Sequence, residues 1–500
     1  MAIMGVTSSA SAAIVQTLSE LRAKLDALQR QLGTGQKAEN YADLGSQRAL
    51  VVGLKTQLDA VSGFTDTIAR VQTRLSLALE SLASLREAGE KIKSATTFPS
   101  FTLTGNGLTA DQLAARGQLG IILSALNAND GTSYLFSGSG ADRAATVPMD
   151  VLLNGDGARA GLKQIISERR AADVGDGLGR LVIPAASGTV VSVSEDAAGS
   201  PFGFKLDAVS SNLSGVNITG PTGLPPSISV DFTSNPNAGE TLTLTLTLPD
   251  GTTEHISLTA TAAVPAGPGQ FSIGTTAAAT AANFQAALSD AVGSLAGTAL
   301  VAASAVAAAN NFFDINSATP PQRVNGPPFD TATSLVNGTA ADTVFWYTGE
   351  AGTTAARTTA IARVDNTFTI AYGMRANEDA LRRVVKNAAL FAATELSASD
   401  PNAAAQYSAL TSRLAANFAP LPGEQTLMGI TSEIANAQVI AENVKQRHQE
   451  MTVTLTNFMQ SITNVPMEQV WAELLAVQTA LQASLQTTAM LSRLNLVNFL

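Results

Sequence analysis

His255 and His448 are the only imidazoles in this 500-residue chain, and cysteine is absent. Acid-base, nucleophilic and metal chemistry at neutral pH draws first on those two residue types. The histidines lie far apart, so an HExxH zinc arrangement is missing and a Ser-His-Asp triad has just these two candidate bases. Without cysteine there is no disulfide framework, zinc ribbon, thiol nucleophile or cysteine-held cluster, and the redox compartment stays open.

Other residues mimic chemistry without meeting its spacing. Gly155-Asp156-Gly157 with Gly161, and Gly175, Gly177 and Gly179, look like phosphate cradles. Neither group fits GxGxxG between a strand and a helix, and Asp156, Asp173 and Asp176 miss the calcium-loop spacing. They read as turn glycines. The runs Glu168-Arg169-Arg170 and Arg382-Arg383 with Lys386 would suit an anionic ligand, yet basic runs on helices are ordinarily solvated faces. His448 falls on a helix seam, where a packed, register-setting role is expected, and His255 faces outward from a hairpin. The expectation is a chain that is not an enzyme, with no catalytic, cofactor-binding or metal residues and no cofactor.

Composition narrows the class of protein. Charged residues make up 14%, aromatics 5% and hydrophobics 45%, which excludes disorder over the whole chain and suits long helices packed through small residues. A net charge of -10 gives no electrostatic footprint for nucleic acid or an anionic membrane. Met1 to Ala13 lacks a basic segment followed by a dense apolar run, so an ordinary secretory signal is not expected. The uncharged stretch between Asp290 and Asp314 has the length of a membrane span, but its Ala, Gly, Ser and Asn content and lack of basic flanks favour a buried soluble helix.

Long helices must position everything else. Ile14, Leu18, Leu21, Leu25, Leu28 and Leu32 form an a/d seam, broken by Gly33-Thr34-Gly35. A second run through Leu54, Leu58, Val61, Ile68, Val71, Leu75, Leu79, Leu82 and Leu85 predicts a helix from about Leu50 to Lys93, roughly 65 Å long. Near the other end, Ile430, Ile434, Ala437, Ala441, Val444, His448, Met451, Leu455, Phe458 and Ile462 alternate spacings of 4 and 3. After Pro466 a last helix carries Val470, Trp471, Leu474, Val477, Leu481 and Leu485, with the first helix as its expected companion. Alone, both terminal helices are expected to be poorly ordered and to become helical on assembly.

Between the ends, Ser133 to Ser137 reads as strand. Thr241 to Leu248 alternates Thr and Leu, turns at Pro249-Asp250-Gly251 and returns over Glu254 to Leu258 as a hairpin; Ala277 to Phe313 reads as helix. Residues 181 to 340 hold 10 acidic residues against Lys205 and Arg323, while the rest is nearly neutral. The predicted fold is a mainly α rod of paired long N- and C-terminal helices, coiled-coil-like, with small β-hairpins and an inserted α+β outer domain. The expected domains are 1-45 with 465-500 for assembly, 46-180 with 341-464 as helical rod with β-hairpins, and 181-340 as an acidic insert that folds alone and is dispensable.

The stretch LQRQLGTGQKAENYADLGSQRALVVGL, Leu28 to Leu54, resembles the N-terminal signature of the bacterial flagellin family, and LLAVQTALQASLQTTAMLSRLNLVNFL resembles its closing helix. YLFSG at Tyr134 to Gly138 and NGDGARAGLKQIISERRAADVGDGLGRLVIPA at Asn154 to Ala185 are similar to α-proteobacterial members. The resemblance covers about residues 1 to 185 and 341 to 500. It departs at Ala42-Asp43, where an acidic pair is usual.

The resemblance implies an extracellular structural axial protein, exported unfolded by the flagellar type III apparatus and polymerised through its ends, serving motility. YTGEAG at Tyr347 to Gly352 and IAYGMRANEDALRRVV at Ile370 to Val385 resemble the hook-associated, hook-filament junction type, which is the preferred reading; a filament flagellin is the alternative. Implied partners are further copies of itself, hook-associated proteins, flagellin, and an export chaperone at the C-terminal helix, with no nucleic acid and no membrane insertion. The seam residues expected to carry assembly are Leu18, Leu21, Leu25, Leu28, Leu58, Leu75, Val444, Met451, Leu455, Phe458, Leu474, Leu481 and Leu485. An adhesin-like binding protein carried on the insert is a different class of reading, and an enzyme housed in the insert is disfavoured by its lack of a histidine pair.

Overall fold

The computed structural model describes residues 3–38, 40–105, 107–315 and 319–497. The chain is about 52% helical. Its helices are α1 (Ile3–Thr34), α2 (Arg48–Thr97), α3 (Ala110–Leu126), α4 (Met149–Asn154), α5 (Leu162–Val174) and α6 (Ala277–Leu295). They continue with α7 (Val301–Phe313), α8 (Asp379–Ala393), α9 (Ala403–Asn417), α10 (Leu427–Thr463) and α11 (Met467–Val497). Two compact units emerge: unit one comprises Met1–Val71, Arg363–Thr369 and Ile440–Leu500, and unit two Gln72–Ala362 with Ile370–Val439. This two-part division differs from the three segments expected, because residues 181 to 340 share a unit with the helices on either side of them in sequence.

In unit one, α1 and α11 run antiparallel. Lys37 N donates to Thr463 O at 2.7 Å and Val465 N to Gly35 O at 3.0 Å, closing the end where the two helices begin and finish. Farther along, Lys24 Nζ lies 3.8 Å from Glu473 Oε2. Leu28, Val470, Leu474 and Val477 are buried between the helices, flanked by Leu21, Leu25, Leu32 and Val465. A second cluster joins Val51 and Leu54 of α2 to Ile462 of α10, with Leu44, Leu455 and Met459 against it. Both terminal helices are formed over the described residues, and each supplies cover for the other's stripe.

Unit two is built in thicker layers. Four strands order β1 (Leu181–Val182), β2 (Val190–Glu195), β5 (Ser227–Phe232), β4 (Val216–Thr222); four more order β3 (Lys205–Ser211), β6 (Thr241–Thr247), β7 (Thr253–Thr261), β8 (Gln270–Ser272). Pairing is antiparallel throughout except β7 with β8. Strict Thr-Leu alternation makes β6 alternate half-buried Thr with buried Leu, as a sheet with one apolar face requires. The inward leucines meet α6, where Phe232, Phe271 and Phe284 pack with ring centroids 5.2 to 6.2 Å apart. Each such ring contributes about 1.5 to 3 kcal/mol by leaving water.

Between α6 and α7 the helix passes through one π-turn, Ala296–Leu300. There Gln406 Nε2 of α9 donates to Gly297 O at 2.8 Å. Beyond the turn nearly the whole of α7 is buried, packed on α5, α8 and α9, and Trp346 Nε1 donates to Phe313 O at 3.1 Å. The segment Ala277–Phe313 is long and apolar enough to cross a membrane, and 67% of its most apolar window is buried inside the protein.

The segment 181-340, expected to fold by itself, packs in two directions. Its first part closes a core with the sheets, but α7 belongs to the helices encoded outside it. Arg323 pairs with Glu168, and Arg413 of α9 reaches Asp250 at 2.9 Å and Glu254 at 3.2 Å.

The expected strand at Ser133 to Ser137 is instead a run of isolated bridges, Asn129 to Tyr134 and Ser137 to Arg375. Gly179 takes φ of 61°, and a Cβ there would sit 2.4 Å from the Phe204 ring, so the turn reading of this glycine has a steric cause.

Candidate functional site

The proposed seam residues divide by burial. Leu28, Leu75, Val444 and Leu474 are buried; Leu18, Leu21, Leu25, Leu58, Leu455 and Leu481 are half-buried. Met451, Phe458 and Leu485 are exposed at 44%, 48% and 42%, so other parts of the chain do not cover them. Trp471 and Leu475 on α11 are exposed as well.

On this part of α10 the residues that meet Val51 and Leu54 of α2 are Leu455, Met459 and Ile462.

His448 is buried at the seam of unit one. Its ring stacks on Phe64 at 5.8 Å with 14° between planes, and Nε2 lies 2.8 Å from Val364 O. Next to it, Arg447 bonds Asp365 at 2.6 Å. The Asn366 backbone N–H, with Arg447 behind it, holds the Asp365 carboxyl below its ordinary range against the opposing effect of burial. His255 is exposed on β7, with Nδ1 3.0 Å from Thr245 Oγ1. The imidazoles therefore lie in different units. Among the described residues no group of three or more His, Asp or Glu is placed to hold a metal ion.

Three sequence phrases converge in unit two. Gly138 N donates to Met374 O at 2.9 Å, Ala376 N to Phe136 O at 2.8 Å and Glu350 N to Ser137 O at 2.9 Å. YLFSG, YTGEAG and YGMRANE are thereby laced together by backbone. Arg375 sits at the centre, nearly fully buried. It donates to Gly352 O at 2.7 Å, Thr354 O at 2.8 Å, Thr354 Oγ1 at 2.7 Å and Glu350 Oε1 at 3.2 Å.

The Ser139 N–H donates to Glu350 at 2.9 Å and, with Arg375 adding to it, keeps that carboxyl below its usual range. Glu378 receives Arg375 N at 3.0 Å, Arg357 Nη2 at 2.9 Å and Gln425 Nε2 at 2.9 Å. Tyr347 is buried beneath Gly349, and burial pushes its phenol up. Nearby, Arg74 pairs with Asp130 at 3.2 Å and lies 5.6 Å from the Tyr372 ring centre. Burial opposes ionisation of Asp130, but hydrogen bonds from Thr132 and Ser133 with the Arg74 charge prevail and hold it at about 2.

This cluster fixes chain crossings. Its charges are paired and the Arg375 Nη donors are taken by Gly352 O, Thr354 O, Thr354 Oγ1 and Glu350, while Arg375 Nε and the Tyr347 hydroxyl are buried without a hydrogen-bond partner. Sequence reasoning reached its phrases through resemblance and missed its ion pairs, whose partners are remote in the chain. A signal was available in Glu350, the one charge between Asp342 and Arg357.

The basic runs also differ from expectation. Glu168 and Arg169 are buried, not solvated: Arg169 Nε bonds Asp173 at 2.8 Å and its guanidinium lies 4.9 Å from the Phe202 ring centre. Burial outweighs that arginine and raises the Asp173 carboxyl. Arg382 and Arg383 are half-buried and paired with acids. No protein-family model matches the chain, and no curated protein matches it.

Proposed function

We propose that the chain is a structural axial subunit of the bacterial flagellum, exported unfolded and assembled through its terminal helices, of the hook-filament junction type. A filament flagellin is the alternative within the same class. The reading rests on the resemblance at both ends of the sequence, and one structural observation carries it further. The α1 and α11 pair buries a stripe one leucine wide and leaves Val15, Trp471, Leu475, Leu485 and Met490 exposed. An apolar surface of that kind on a two-helix layer suits further copies or related axial proteins packing against it. A coiled-coil rod, an export chaperone on α11 and an extracellular location belong to the same proposal.

Labelled imaging of sheared flagella tests it. A single spot at the hook end is the expected result, a filament-wide signal selects the flagellin alternative, and absence from flagella overturns both. The adhesin-like reading predicts instead that the full chain stays monomeric and soluble with its ends intact.

A further inference from the structure

In unit two, β8 is much shorter than the strand it joins. It pairs only with Thr259, Ala260 and Thr261, so residues 253–258 of β7 form the edge of the sheet. Hydrogen bonds near the end of β7 show which residues point outward. Thr259 N donates to Gly269 O at 2.9 Å and Ile273 N to Thr261 O at 2.8 Å, on the β8 side. Ala260 O accepts from Gly239 N and Ala260 N donates to Glu240 O, both at 2.8 Å, on the β6 side. Successive residues of a strand alternate sides, so Thr253, His255 and Ser257 direct their N–H and C=O groups out of the edge, while β6 takes the residues between them. Among the described residues no strand pairs with these three from that side.

The edge is one wall of a cleft of about 810 Å³, with α6 as the other wall and the 265–269 loop beside them. On α6 the lining residues Asn283, Ala286, Ala287, Asp290, Ala291 and Ser294 fall on one face at helical spacing. Their small size leaves room beside the strand. Asp290 is exposed, is the one carboxylate in the lining, and among the described residues makes no ion pair.

We propose that this cleft docks an extended segment of a partner protein, which adds to β7 as a further strand, sets alternate small apolar side chains against the alanines of α6 and places a lysine or arginine on Asp290. The edge offers N–H and C=O groups at the two-residue repeat of a strand, which an extended peptide matches and a compact small molecule does not. Charge selects the sign of the partner and disfavours a second copy of this chain. Residues 181 to 340 hold 10 acidic residues against Lys205 and Arg323, so two such edges brought together would repel.

The test is a titration of the fluorescein-labelled, end-blocked peptide TVTKTV onto the full-length protein, read by fluorescence anisotropy. In a strand its valines and lysine share one side and its threonines the other. Saturable binding is expected. It should weaken about fivefold when glutamate replaces the peptide lysine or when Asp290→Lys is made, and recover when both charges are reversed together. Methylating the backbone nitrogens of one alternate set of peptide residues is expected to cost roughly tenfold or more, and methylating the other set less than about twofold, because only one set meets β7. Ala286→Trp, at an exposed position of α6, is expected to abolish binding with the melting curve retained. No saturable binding, equal losses from the two methylated sets, or full affinity in a folded Ala286→Trp protein would each overturn the proposal. Dimerisation of the chain through this edge in place of peptide binding would overturn it as well.

Discussion

Unit one and unit two solve the same burial problem to different degrees. In unit two, Phe232, Phe271, Phe284, Phe313 and Trp346 lose essentially all contact with water because sheets and helices enclose them from several sides. In unit one the apolar residues stand in single file between pairs of helices, and Met451, Phe458, Trp471 and Leu485 remain outside. A third layer completes a core, whereas a two-helix layer completes half of one. The exposed residues of unit one are thus the sites at which another molecule would change the free energy most.

The largest break in that comparison is removal of residues 181 to 340 with a short linker. Loss of α7 and the sheet core is expected to abolish cooperative unfolding of unit two, measured by calorimetry; a retained transition would restore the independent insert. Next, Phe284→Ala is expected to cost about 3 to 5 kcal/mol in urea denaturation, while Trp471→Ala on exposed α11 stays within about 0.5 kcal/mol. Equal costs would mean that the contrast in layering is unimportant.

Arg375→Met strips the partner from Glu350 and the bonds to two carbonyls and the Thr354 hydroxyl. About 3 kcal/mol is expected by the same assay. In unit one, Leu474→Ala should cost about 2 kcal/mol and Leu485→Ala less than about 0.5 kcal/mol in the isolated chain. Both should reduce polymerisation in a sedimentation assay; an assembly defect for Leu474→Ala alone would show that the exposed face is idle.

The smallest effect concerns pH. Asp130 is held at about 2 when folded, below the unfolded carboxylate value. Its contribution is therefore present above about pH 3.9 and fades as pH falls towards 2. D130N should flatten the loss of melting temperature across that window, and an unchanged acid limb would remove Asp130 from the account.

Much of the secondary structure was legible because period alone encodes it. The helix expected from about Leu50 to Lys93 is Arg48–Thr97, and the Thr-Leu hairpin is β6 with β7. Periodicity says which side chains share a face and nothing about how many layers cover that face. For this reason the 4-3 spacing places Met451, Phe458 and Leu485 on apolar stripes without telling whether the chain itself covers them. Local charge patterns failed similarly at Glu168 and Arg169, whose burial depends on Phe202 and Arg323, far along the chain. The joining cluster around Arg375 was half legible: its phrases stand out in sequence, but the pairing of Glu350 with Arg375 is a property of the fold.

The π-turn at Ala296–Leu300 has a geometric consequence. One additional residue per turn rotates the downstream apolar stripe relative to the upstream one, so a single rod of backbone answers to two cores with different geometric demands. The turn therefore works as a phase shifter: α6 keeps its apolar side on the sheets while α7 stays seated among α5, α8 and α9.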